Sequence, residues 1–294
     1  MNLVALSLAV LAASLHAGWS LLSKRLSDYD AFAFIWLASL GSFVVYAPVT
    51  IWLTDGLSLS LSAPQTVFLA GSIVINLAYF VVTQHGYRFG DLSLVYPIAR
   101  GTGPILATVG GIVFLGQVPG AVATIGLVAV AAGVAALGLH RAPRGPVRPP
   151  GGGYGGVVGY GLLSGVTIAG YTLWDQHAVG PLGISPFLLN WVDDAGRVLL
   201  LAPVVLRRRE EVRRLWRDCR LLLCGAATLM PLPYLLFLFS LRLAPASVVS
   251  PVRESSVLLV VLASGALLAE GHRRFRLLAS AGVVLGLALL AVGS

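Results

Sequence analysis

His140-Arg141-Ala142-Pro143-Arg144-Gly145-Pro146-Val147-Arg148-Pro149-Pro150, followed by Gly151-Gly152-Gly153, cannot continue a helix. Proline has no amide donor and clashes with the preceding turn, and glycine gives up the most backbone entropy on ordering. The stretch interrupts a chain that is apolar nearly everywhere else: 294 residues, 57% hydrophobic, 11% charged, with a mean hydropathy of +0.88. A soluble domain carries about a quarter charged residues, so this chain lacks the polar surface to face water on all sides. Residues 140–153 therefore read as a linker between two membrane-embedded halves, 1–139 and 154–294.

Outward from the linker, the apolar runs are about the length that crosses a hydrocarbon layer of about 30 Å at 1.5 Å per residue. They cover roughly 2–23, 31–53, 66–85, 92–115 and 119–139 before it, and 154–174, 186–206, 219–240, 245–269 and 276–293 after it. Continuous hydrophobicity excludes a transmembrane barrel, whose strands alternate. No basic residue precedes the first run at Met1-Asn2-Leu3, so it is expected to stay as a spanning helix and not to be cleaved as a signal peptide. The expected fold is an all-α polytopic membrane protein of ten transmembrane helices.

The halves echo each other. Arg88-Phe89-Gly90-Asp91-Leu92-Ser93-Leu94-Val95-Tyr96-Pro97 aligns with Arg242-Leu243-Ala244-Pro245-Ala246-Ser247-Val248-Val249-Ser250-Pro251, and Ala17-Gly18-Trp19-Ser20-Leu21 with Ala169-Gly170-Tyr171-Thr172-Leu173. Arg100 then faces Arg253, and Gln117 faces Glu270. Five helices per copy make the copies cross the membrane in opposite senses, so the expected plan is two inverted five-helix repeats.

The basic residues are placed unevenly. Sixteen of the 20 lie in the odd-numbered connections: Lys24 and Arg25; Arg88; Arg141, Arg144 and Arg148; seven arginines from Arg207 to Arg220; and Arg273, Arg274 and Arg276. The positive-inside tendency puts those connections in the cytoplasm and, with ten helices, both termini outside. The net charge of +8 is thus accounted for by membrane topology and anionic lipid, not by a nucleic-acid domain. Cys219 and Cys224 are too few for a disulfide framework, and the five histidines show no metal-ligand spacing. No cofactor is expected.

Charged and polar groups at membrane depth are expensive, so each is a candidate for function. The cavity candidates are His16 and Trp19 on helix 1, Asn76 and Tyr79 on helix 3, Tyr96 and Arg100 on helix 4, Tyr171 on helix 6, Tyr234 on helix 8, and Arg253 and Glu254 on helix 9. Arg100 either pairs with a carboxylate between helices or fixes an anionic group of a solute. His16 either bonds a neighbouring helix or serves a pocket. Pro97 and Pro104 are expected to disturb the helix 4 ladder. Asp193, Asp194, Arg197 and Glu254 are candidates for a buried pair or for proton coupling. By spacing, Asp193 and Arg197 share a face and Asp194 turns away. Gly161 and Gly165, and Gly282 and Gly286, are expected at close helix crossings.

Three segments resemble the EamA family of the drug/metabolite transporter superfamily: His16-Ala17-Gly18-Trp19-Ser20 through Lys24, Asp91 through Pro104, and Arg253-Glu254-Ser255-Ser256. The resemblance implies a multi-pass permease of the bacterial inner membrane with a central cavity. It implies alternating access for small polar metabolites, amino acid exporters among them, and no enzymatic activity. Two features depart from the family. Gln117 stands where the family often has Glu, and the basic bias puts both termini outside where many members are drawn with both inside. The alternatives from other classes are a membrane enzyme acting on a lipid-linked substrate, which wants a clustered nucleophile and base or a metal set, and a membrane receptor or assembly protein. The expected partners are a small-molecule solute, membrane lipids and protons.

Overall fold

The computed structural model describes residues 3–54, 61–115, 120–139, 154–241, 255–268 and 273–293. The linker 140–153, Gln117, Arg253, Glu254 and Glu270 lie outside the described residues.

Every element among the described residues is a helix: α1 Leu3–Arg25, α2 Ala31–Leu53, α3 Ala63–Phe89, α4 Leu92–Leu115, α5 Ala121–Leu139, α6 Tyr154–Val179, α7 Pro186–Arg207, α8 Arg209–Leu229, α9 Leu232–Leu241, α10 Ser256–Leu267 and α11 Arg273–Gly293. Local chemistry sets several ends. Asp30 caps α2 by accepting from the Ala33 amide, and Ser62 with Gln65 forms a reciprocal capping box at α3. At the far end of α3, the Lys24 ammonium donates to the carbonyls of Tyr87 and Gly90 (2.7 Å to Gly90), placing a cation where the helix carbonyls are exposed. Between α6 and α7, Gly183 adopts φ 65° and turns the chain back on itself.

Five helices among the described residues are long and apolar enough to cross a membrane: Ala31–Leu53, Ala63–Phe89, Gly155–Val179, Arg209–Leu236 and Arg274–Gly293. The expectation of ten transmembrane helices in two inverted five-helix repeats is corrected accordingly. The apolar helices Ala121–Leu137 and Ser256–Leu267 are shorter, and α7 carries Asp193, Asp194 and Arg197 in its middle. Among the described residues a duplicated layout is also not visible. The arginine-rich segment, read as a connection, is helical from Arg209, kinks at Cys219 (φ −133°, ψ 23°) and leads through Leu229 to the ten-residue α9. No described helix of the first half is bent in this way. The both-termini-outside topology rested on ten crossings and falls with them.

Two departures follow from packing. Pro97 and Pro104 sit inside an uninterrupted α4, whose neighbours α5, α6 and α10 support the turns they weaken. Arg276, counted among the basic residues of a cytoplasmic connection, is buried in α11, where it donates to Asp91 Oδ2 at 2.6 Å and to Ser93 Oγ at the start of α4. Asp91→Asn removes the charge-assisted half of that clamp, an expected loss of about 1.5–3 kcal/mol. A lowered thermal midpoint in detergent checks it.

The bundle is held by small-residue contacts and three apolar cores. The first joins Tyr87, Leu92, Val95, Ile98, Val130, Val257 and Val283; the second joins Trp19, Phe34, Ile35, Leu201, Leu215 and Leu223; the third joins Leu69, Ile184, Leu188 and Leu189. Helix α6 lies against both α3 and α4. A Cβ on Gly165 would come within 2.4 Å of Thr102 Cβ, and one on Gly161 within 2.9 Å of Ile98. Gly286 meets the Gly126 backbone in the α5–α11 crossing, whereas Gly282 faces open space. Gly165→Leu is expected to overpack α4 against α6 at a cost of about 1–3 kcal/mol, read as a lower unfolding temperature, with Gly282→Leu as the neutral control. On the outside, Leu199 is 72% and Leu278 73% exposed, an apolar surface that suits acyl chains and not water.

Candidate functional site

A polar seam runs between α3 and α6. Helix α3 places Ser72, Asn76, Tyr79 and Thr83 at steps of four, three and four, which is one face of a helix about 16 Å long between the first and last. Helix α6 answers in the antiparallel sense. Thr83 bonds Ser164 at 3.1 Å, the Tyr79 and Tyr171 rings meet edge-on at 5.3 Å, and Ser72 bonds Asp175 at 2.6 Å. Asn76 Nδ2 reaches Ser72 Oγ at 3.2 Å and Asp175 Oδ2 at 3.4 Å.

At one end the seam meets α7. Asp193, 4% exposed, sets Oδ2 3.2 Å from Ser72 Oγ, and its Oδ1 is buried with no hydrogen-bond partner among the described residues. Asp194 makes a different set of contacts. It accepts from Arg197 at 2.5 Å and from Ser42 Oγ of α2 at 2.7 Å. Arg197 also donates to Ser39 Oγ at 3.0 Å and lies over the Phe80 ring at 4.6 Å. The expected pairing of Arg197 with Asp193 is therefore corrected. The partner is Asp194, three residues back, because Asp193 is drawn to the α3 face and Asp194 to the α2 face.

Helices α1 and α4 bring His16, Tyr96 and Arg100 together, within electrostatic reach of Tyr79 on the α3 face. His16 Nε2 and the Arg100 guanidinium are in hydrogen-bond contact, Arg100 lies 5.5 Å from the Tyr96 ring centre, and the His16 and Tyr96 rings are 5.8 Å apart. Arg100 is the donor, since a guanidinium cannot accept, so His16 presents Nε2 as an unprotonated acceptor. The Tyr96 hydroxyl and Ser256 Oγ of α10 are 3.1 Å apart. Both α3 and α4 pack on α6, so the carboxyl-rich group and the guanidinium group stand on helices that share a neighbour.

The remaining candidates divide. Trp19 stacks on Phe34 at 5.9 Å and meets Phe80 edge-on at 6.2 Å inside the second core, which is a packing environment. Tyr234 is half-buried on α9, next to Leu235, which with Tyr46, Asn190 and Asp194 lines a small cleft. Sequence reading missed Asp175 and Ser72. Asp175 falls one residue past the predicted end of its helix, at 174. A serine in an apolar run is silent until its partners are known; the four-three-four spacing from Ser72 through Asn76 and Tyr79 to Thr83 was the available signal.

Among the described residues, no group of three or more His, Cys, Asp or Glu is arranged to hold a metal ion. Cys219 and Cys224 are free. Residues 156–292, from α6 to α11, match the EamA-like transporter family. No relative among curated proteins matches the chain.

Proposed function

We propose that this all-α, multi-pass membrane protein, an EamA-like transporter by residues 156–292, is a secondary transporter that moves a small polar metabolite across a bacterial inner membrane by alternating access. The observation that carries the reading is the pair of oppositely charged polar groups on the helices packed together around the α3 face. Arg100 with His16 and Tyr96 suits a carboxylate, and Asp175 with Ser72 and Asp193 suits an ammonium. Such groups inside an apolar bundle are costly unless they pair or serve a solute. A zwitterionic amino acid offers both complementary charges, which supports amino acids as the substrate class. Tyr79 and Tyr171 lie along the seam between the two ends as apolar-faced platforms. Arg253 and Glu254 remain candidate contributors from the segment between α9 and α10.

Transport needs no covalent chemistry here. The solute exchanges its hydration shell for fixed charges and hydroxyls, and helix rearrangement opens the seam to one side and then the other. Proteoliposomes preloaded with unlabelled amino acids and exposed to labelled ones test this by counterflow. Accumulation of at least one amino acid above protein-free liposomes is the expected result. No accumulation of any amino acid by folded, reconstituted protein contradicts it.

A further inference from the structure

We infer that Asp175, Ser72 and Asp193 form a proton-binding site in which two carboxyl groups share one hydroxyl and together hold one exchangeable proton. The argument is a count of hydrogens. Ser72 Oγ carries a single hydrogen and contacts both Asp175 Oδ1, at 2.6 Å, and Asp193 Oδ2, at 3.2 Å. A carboxylate only accepts. The serine hydrogen satisfies one of the two, and the other contact is a hydrogen bond only if that carboxyl supplies its own proton. Asp175 takes the shorter contact and also faces the Asn76 amide, so it is the carboxylate. Asp193 is the acid, donating from Oδ2 to Ser72 Oγ.

The other oxygen of Asp193 supports the same assignment independently. Oδ1 is buried without a hydrogen-bond partner among the described residues. Burial without a partner is tolerable for the carbonyl oxygen of a neutral acid and severe for an anion. Arg197 makes its hydrogen bonds to Asp194 and Ser39 and none to Asp193, although its charge reaches both Asp193 and Asp175. Nearest the pair on the elements packed around it are Asp194 and Arg197 on α7, Tyr79 on α3, Tyr171 and the exposed His177 on α6, and Tyr46 on α2, whose hydroxyl donates to the Thr228 carbonyl at 2.7 Å; His85, Tyr87 and Arg88 on α3, Tyr160 on α6 and Arg207 on α7 stand toward the other ends of their helices. Asp193 thus has one proton to lose: burial and the neighbouring carboxylates Asp175 and Asp194 oppose losing it, and Arg197, whose hydrogen bonds go to Asp194 and Ser39, offsets them in part.

This deepens the transport reading and rests on it for its use. With one proton the pair carries a charge of −1. Breaking the Asp193 O–H bond releases H⁺ and leaves −2, and entry of an ammonium group between the carboxylates restores −1. The site is therefore built to exchange one proton for one ammonium-bearing solute. Sodium is the competing inorganic cation.

Infrared spectroscopy of the purified full-length chain in nanodiscs tests the site without a known solute. At neutral pH the wild type is expected to show a protonated-carboxyl carbonyl band that shifts when aspartate is labelled with ¹³C. The band is expected to vanish in Asp193→Asn and to change frequency in Ser72→Ala. The isotope shift needs no variant, so it holds even if a substitution unfolds the chain. Absence of a protonated aspartate band at neutral pH in sodium-free buffer, or its persistence in folded Asp193→Asn, overturns the proposal. A band that behaves as expected while no amino acid moves in proteoliposomes leaves the site standing and sinks the transport reading; amino acid movement without the band does the reverse.

Discussion

Arg197→Leu leaves little folded protein: an expected loss of about 3–5 kcal/mol, the usual result of stripping one partner from a buried ion pair. Arg197 is 3% exposed and holds Asp194, Ser39 and the face of Phe80 at once, tying α7 to α2 and α3. Without it Asp194 keeps the Ser42 hydroxyl but loses its counter-charge. The double variant Arg197→Leu with Asp194→Leu is expected to recover much of the loss, because well-packed apolar groups replace a buried pair at little cost. Thermal unfolding of the three proteins in the same detergent reads the cycle. Equal destabilisation by the single and double variants would show that the arginine acts through packing alone.

Arg100→Gln is the counterpart for function. The guanidinium stands beside His16 and over Tyr96, and the proposed role is to fix a solute carboxylate. Loss of a charge-assisted contact in a desolvated site amounts to about 2–5 kcal/mol, which at 1.4 kcal/mol per tenfold is roughly a 30-fold or greater fall in apparent affinity. Counterflow at limiting amino acid concentration is expected to fall by that factor while the yield of folded protein stays near wild type. Arg100→Lys retains charge without the planar fork and is expected to fall between them. If Arg100→Gln loses folded protein in proportion to transport, the residue holds helices together and does not bind solute.

What the sequence made legible follows from what each signal depends on. The all-helical, membrane-embedded character is a property of composition and long apolar runs, and these are local. His16, Tyr96 and Arg100 were visible because polar groups are rare in such a chain, and they do converge. The number of spanning helices was overread, because apolar length does not reveal where a run such as 186–206 turns its charged cluster or that an arginine-rich connection is itself helical. Partner choice was the least legible. A spacing of four allowed Asp193 to meet Arg197, but a spacing of three serves Asp194 as well, and tertiary neighbours decided it: Ser72 from α3 on one side, Ser42 from α2 on the other. Arg276 was placed in a connection for the same reason, since Asp91 lies 185 positions away.

Tyr79 stands midway along the α3 face and touches Tyr171, so it is where a solute path through the α3–α6 seam is probed most directly. With Cys219 and Cys224 changed to serine to remove the native thiols, Tyr79→Cys is exposed to a membrane-impermeant thiol reagent in right-side-out and in inside-out vesicles. Labelling from both faces, slowed by a transported amino acid, is the predicted result. Labelling from neither face in native protein, with full labelling after unfolding, would contradict a path along this seam.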